Sequence, residues 1–148
     1  MDDEKLQLAR AAGDVHTVNT QRESLHDRLP EMTGGRGPDV VIEAIGTPAT
    51  FDAAVEEVAF TGRVVYIGHA KERVSYETQL FVQKELEVLG SRNALPEDFH
   101  AVNRILEAPN FPVDQAASLV VPLEEAGQAL RSWSENTSHF KKIQVRLD

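Results

Sequence analysis

The sequence predicts an α/β domain built on a parallel sheet with flanking helices, and three observations carry that prediction. Residues 37–68, GPDVVIEAIGTPATFDAAVEEVAFTGRVVYIG, read as strand, helix, strand, with each strand running into a glycine. Short apolar runs alternate with amphipathic segments along the rest of the chain. The central strand is rich in β-branched residues, as a strand covered on both faces requires.

Within the central unit, Asp39 to Ile45 is a near-continuous apolar run broken only by Glu43 and Ala44, and Gly46-Thr47-Pro48 ends it. Phe51, Ala54, Val55 and Val58 follow at the spacing of an amphipathic helix, with Thr47 or Thr50 as its N-cap. Thr61-Gly62 turns the chain into a second strand, Arg63 to Ile67, stopped by Gly68. A unit of this size makes a right-handed crossover between parallel strands, so both strands end on one edge of the sheet. Ligands of open α/β sheets bind at that edge.

In chain order, Glu4 to Ala12 reads as a helix with Gly13 as its stop. Asp14 to Val18 reads as a short strand, and Gln21 to Met32 as a polar amphipathic segment before the loop Thr33 to Pro38. Beyond the central unit, Lys71 to Tyr76 is a loop or an edge strand, Glu77 to Lys84 a short helix, and Leu86 to Leu89 a strand closed by Gly90. Pro96 opens a helix over Glu97 to Glu107, with Phe99, Val102, Ile105 and Leu106 as its apolar stripe. Ser118 to Val121 is a strand, Leu123 to Trp133 a helix, and Phe140 to Leu147 an alternating strand. No linker or repeat divides the chain, so residues 1–148 are expected to form one domain.

Composition narrows the function. The 148 residues are 41% hydrophobic, and the formal net charge is -9 with no basic patch. That balance argues against nucleic acid or an anionic membrane as partner. Cysteine is absent, which excludes disulfides and thiolate zinc sites. No apolar run approaches the roughly 18 to 20 residues of a membrane span. The acidic start Met1-Asp2-Asp3-Glu4 is unlike a signal peptide, so a cytoplasmic protein is expected, and Asn136-Thr137-Ser138 is a chance glycosylation pattern.

Read together, LQLARAAGDVHTVN, GGRGPDVVIEAIGTPATFDAAVEEVAFTGRVVYIG, QKELEVLGSRNA and LVVPLEEAGQALRSW, with KIQV near the end, resemble the C-terminal part of a zinc-type medium-chain alcohol or polyol dehydrogenase. The resemblance runs over essentially the whole chain in the family's order. It implies a Rossmann-like, doubly wound parallel sheet truncated at its start, lacking its first strand and helix. Residues 1–90 would be the partial dinucleotide-binding region, and residues 91–148 the segment that in relatives returns to the catalytic domain.

Three parts of such an enzyme have no counterpart here. No segment matches the N-terminal catalytic domain with its zinc ligands, so neither a catalytic residue nor a zinc site is expected. The phosphate loop G-x-G-x-x-G does not occur; Gly34-Gly35-Arg36-Gly37 precedes a strand instead of following one and reads as a turn. The acid that binds the adenosine ribose would fall just before Met1, out of register with Asp2 and Asp3.

What the resemblance retains is a set of cofactor-facing positions. Lys5 would approach the adenosine ribose, and Ala44, Ile45, Gly46 and Thr47 would line the adenine side. Ile67, Gly68 and His69 would meet the nicotinamide ribose and ring. Gly90, Ser91 and Arg92 would reach the carboxamide end, and Lys141 would lie near the pyrophosphate. NAD or NADP is thus the implied cofactor, held weakly or not at all. Each position also has a plainer reading: Gly46, Gly68 and Gly90 serve sharp strand-end turns equally well, and Lys5 and Lys141 suit solvated surface.

Outside the resemblance, His16, His26, His100 and His139 share no metal-ligand spacing and are expected to be solvated or hydrogen-bonded. Glu43, inside an apolar strand, is expected to pair with Arg63 or Lys71, and Glu124-Glu125 to open a helix. A sheet without its first strand exposes backbone edges and apolar faces. A homo-oligomer is therefore expected, with a dimer through the region Val74 to Gly90 as in relatives. The remaining alternatives are a separate chain carrying the N-terminal half and a small-ligand binder that reuses the strand-end crevice.

Overall fold

The computed structural model describes residues 3–108, 111, 117–136 and 140–147. The chain divides into two compact units, residues 23–94 and residues 1–22 with 95–148.

In the unit of residues 23–94, three strands form a parallel sheet in the order β1 (Val40–Glu43), β2 (Arg63–Tyr66), β3 (Glu87–Gly90). Val41 stands opposite Val64 and Val64 opposite Val88, so the β-α-β reading of the sequence holds strand for strand. Helix α2 (Leu25–Thr33) precedes β1, opened by Ser24, whose hydroxyl accepts from the Asp27 amide, and closed by Gly34 in the left-handed conformation. Helix α3 (Pro48–Glu57) is the crossover between β1 and β2, and α4 (Gln79–Gln83) precedes β3. Lys71 to Tyr76 is irregular, which resolves the loop-or-strand alternative as loop.

The core of this unit lies where α3 packs on the sheet. Ala54 and Val58 of the helix segment meet Val64 of β2, with Val41, Tyr66 and Leu86 around them. Val55, Val58 and Val64 are almost completely buried, worth about 1.5–3 kcal/mol each in apolar area removed from water. Phe51 of α3 stacks on Tyr66 with ring centroids 4.3 Å apart, and the Tyr66 hydroxyl donates to the Phe51 carbonyl at 3.0 Å.

Lys84 closes the other end of α3. Its ammonium donates to the carbonyls of Val55, Glu56 and Val58 at 3.3, 2.6 and 2.9 Å. A cation among the unsatisfied carbonyls of a helix C-terminus meets both their lone pairs and the negative end of the helix dipole.

In the other unit, α1 (Asp3–Ala12) buries Leu6, and Asp3 accepts from Asn19 while pairing with Arg22. Helix α5 (Pro96–Leu106) starts at Pro96 as expected, but its stripe of Phe99, Val102, Ile105 and Leu106 remains exposed. Strands β4 (Leu119–Pro122) and β5 (Ile143–Arg146) pair in parallel, and between them a 3-10 turn, Leu123–Glu125, leads into α6 (Ala126–Glu135). Val121 and Ala129 are the buried residues of this pair of elements.

One element differs from the sequence reading. Asp14 to Val18 is not a strand. It joins neither sheet of the described residues, β1-β2-β3 or β4-β5, and an unpaired strand has nowhere to send its backbone hydrogen bonds. Among the described residues no helix is long and apolar enough to cross a membrane.

Candidate functional site

The candidate site is the edge of the three-stranded sheet where β1, β2 and β3 all end. Parallel pairing forces the three C-termini together: Glu43 lies opposite Tyr66, and Tyr66 opposite Gly90. Ala44 to Thr47, Ile67 to His69 and Gly90 to Arg92 leave these ends, so ten of the twelve positions implied by the resemblance share one edge. Lys5 and Lys141 belong to the other unit; Lys5 lies half-buried on α1, and the Lys141 amide donates to the Ser118 hydroxyl.

Glu43 organises this edge. It is 4% exposed, and its Oε1 accepts the amides of Ile45 and Gly46 and the hydroxyl of Thr50, each at 2.8 Å. Its carbonyl accepts the amides of Ile67 and Gly68 at 2.8 and 3.0 Å. Burial is the largest influence on the carboxyl and pushes its pKa up, but the donations from Gly46, Thr50 and Ile45 together hold it below the usual range. The expected pairing of Glu43 with Arg63 or Lys71 is therefore overturned. Arg63 instead pairs with Glu87, its register partner on β3, while the Glu43 carboxylate is met by donors from its own strand end.

The N-terminus of α3 is satisfied from within. The Thr47 hydroxyl accepts the Thr50 amide and the Thr50 hydroxyl accepts the Thr47 amide, a reciprocal capping box. Both threonines named as alternative caps thus take part, Thr47 as the cap itself. With these donors engaged, this helix start offers no free cradle for a phosphate.

The glycines divide into two kinds. Gly46 has φ of +88°, and a Cβ there would lie 2.8 Å from the His69 amide nitrogen and carbonyl oxygen. A Cβ on Gly68 would run into Glu43 Oε2 and lie 2.6 Å from the Gly46 amide nitrogen. Gly90 has open space where a Cβ would point. Gly46 and Gly68 therefore let the first two turns close on each other, which leaves the side chains of Ile45 and Ile67 facing outward, 67% and 48% exposed.

Two apolar side chains at adjacent strand ends fit the flat, apolar face of a nucleotide ring. In the first turn, the amides of Ile45, Gly46, Thr47 and Thr50 are already engaged by Glu43 and the two threonines.

Tyr66 lies beneath this edge with its pKa raised well above the ordinary tyrosine range, chiefly by burial and then by its neighbour Tyr76. His16, His69 and His100 are exposed, His26 pairs with Glu57 at 2.8 Å, and His139 lies outside the described residues. Among the described residues no group of three or more His, Asp or Glu could hold a metal ion.

The sequence matches the family model of the zinc-binding dehydrogenases over residues 1–108. The chain belongs to this family. It is 27% identical over 95% of its length to an uncharacterized zinc-type alcohol dehydrogenase-like protein of Haemophilus influenzae, and 29% identical over 86% to D-arabitol-phosphate dehydrogenase of Enterococcus avium. It spans 41% and 37% of the lengths of those two relatives. In fold it is similar to an alcohol dehydrogenase of E. coli CFT073 solved with NADH, at a TM-score of 0.83 and 19% identity, covering 99% of this chain and 42% of that one. The parallel α/β architecture is thus the Rossmann-type fold of the zinc-type dehydrogenases, and the chain resembles their cofactor-binding region.

Proposed function

We propose that this zinc-binding dehydrogenase chain supplies the C-terminal half of an NAD(P) site and does not oxidise alcohols by itself. The observation that carries this reading is the convergence of Ala44 to Thr47, Ile67 to His69 and Gly90 to Arg92 on one sheet edge, with Ile45 and Ile67 exposed there. Ile45 and the Ala44 backbone would take the adenine side, Ile67 and His69 the nicotinamide side, and Ser91 and Arg92 the carboxamide end. When bound, the cofactor would supply hydride acceptance; the chain's own part is to orient the rings and shield them from water. In a complete enzyme the reaction would be NAD-dependent oxidation of a secondary alcohol on a polyol or sugar acid, as the names of relatives suggest.

The test is a thermal-shift series with NADH and NADPH on the wild type and on Ile45→Asp, beside an assay of polyol oxidation. Stabilisation by the cofactor that Ile45→Asp abolishes, with no oxidation by the chain alone, is the expected result. Oxidation by the pure chain would reject the reading.

A second reading, an assembly module, is favoured by the free edge of β1. Val40 and Ile42 are 50% and 61% exposed along a groove they share with Leu25, Leu29 and Ala53, and an open apolar edge invites a partner strand. The partner would be a second copy of this chain or a separate polypeptide carrying the N-terminal half. Light scattering at micromolar concentration tests the first, and an upstream reading frame encoding G-x-G-x-x-G would favour the second.

A further inference from the structure

We propose that Glu43 is the positioning residue of the strand-end surface: a single residue fixes both the Ala44–Thr47 turn and the Ile67–His69 turn, so the two move as one unit. The proposal rests on the cofactor reading above for its consequence, but its geometry stands apart from it.

The coupling is built from both ends of the residue. Through its side chain, Glu43 accepts the Ile45 and Gly46 amides and ties them to Thr50 on the first turn of α3. Through its main chain it accepts the Ile67 and Gly68 amides. The second carboxylate oxygen, Oε2, is buried without a hydrogen-bond partner and lies where a Cβ of Gly68 would be. The side chain that shapes the first turn is thus also the surface against which the second turn packs. Gly46 closes the loop, because its Cα side abuts the His69 backbone.

A buried acceptor with three donors on one oxygen has one low-energy placement. Weakening it loosens the first turn, which then meets the second only through the Glu43 carbonyl and the approach of Gly46 to His69. Since Ile45 and Ile67 would hold different rings of one dinucleotide, their separation sets how much of the ligand can be contacted at once. Preorganisation of that kind acts on affinity more than on the fold.

Backbone amide resonances of Glu43→Gln decide the matter. Glutamine preserves the shape and removes the charge, so the fold is retained. Shifts at Ile45 and Gly46 accompanied by shifts at Ile67, Gly68 and His69 support the proposal; a perturbation confined to residues 44–47 overturns it. Should Glu43→Gln fail to fold, Thr50→Val removes one donor to Oε1 and is read on the same amides. Movement at residues 67–69 then supports the coupling, and its absence overturns it. In a calorimetric titration with NADH, the Glu43→Gln chain is expected to bind about tenfold more weakly than wild type through lost preorganisation, with the far-ultraviolet dichroism unchanged; equal affinity overturns the proposal. If the wild type takes up no NADH, the cofactor reading fails, while the amide pattern still decides whether Glu43 couples the turns.

Discussion

Gly68 donates its amide to the carbonyl of Glu43 at 3.0 Å and leaves no room for a Cβ beside the carboxylate of that same residue. Gly68→Ala is therefore expected to destabilise the chain by about 1–3 kcal/mol, the usual cost of forcing extra volume into a packed site. Gly90→Ala, with open space at its Cβ, should stay within about 0.5 kcal/mol of wild type, as surface changes do. Urea denaturation of both variants checks the contrast.

The carboxyl of Glu43 titrates below its ordinary value of 4.5. A group whose folded pKa is depressed contributes stability above its unfolded pKa and loses it as pH falls through the folded one. Wild type should therefore exceed Glu43→Gln in stability at neutral pH, and the gap should narrow only below pH 4.5. Melting curves across the acid range measure it.

His26 runs in the opposite direction. Its hydrogen bond to Glu57, and then the charge of that residue, raise its pKa above 6.5. The pair should stabilise the chain fully below pH 6.5 and cease to do so as pH rises through the higher folded value. His26→Gln should therefore lose stability at about pH 5 and match wild type at about pH 9, by the ordinary titration range of histidine.

Lys84 donates to three carbonyls at the end of α3. Lys84→Met keeps the apolar stem and removes the cap, and should destabilise by about 1–2 kcal/mol, the range of a partly buried charge at a helix terminus. Chemical denaturation with amide exchange at residues 55–58 checks that the loss is local.

Much of this was legible in the sequence because the signals were local. The run Asp39 to Ile45, the spacing Phe51-Ala54-Val55-Val58 and the strand Arg63 to Ile67 contain their own periodicity, and each gave the element type it predicts, with β1 ending at Glu43 and β2 at Tyr66. The strand expected at Asp14 to Val18 did not form, since a strand depends on a neighbour that its own residues cannot announce. The roles of Gly46, Gly68 and Gly90 were indistinguishable as letters. Only the backbone approach between turns far apart in sequence separates the two that packing requires from the one it does not.

Glu43 departs from its expected pairing for a related reason. A carboxylate in an apolar strand suggests a cationic partner, Arg63 or Lys71. Register decides otherwise, by setting Arg63 opposite Glu87. One signal was available: Glu43 precedes Gly46 by three residues and Thr50 by seven, which allows one oxygen to gather turn amides and a helix-start hydroxyl. Lys84 carried no such local mark, because its acceptors lie 26 to 29 residues away.

The most direct test of the central claim is a calorimetric titration of the purified chain with NADH in zinc-free buffer. Ring contacts without a phosphate cradle predict saturable but weak binding, with a dissociation constant on the order of 0.1–1 mM, equivalent to about 4–5.5 kcal/mol. No heat up to millimolar NADH would contradict the claim that this sheet edge is half of a dinucleotide site.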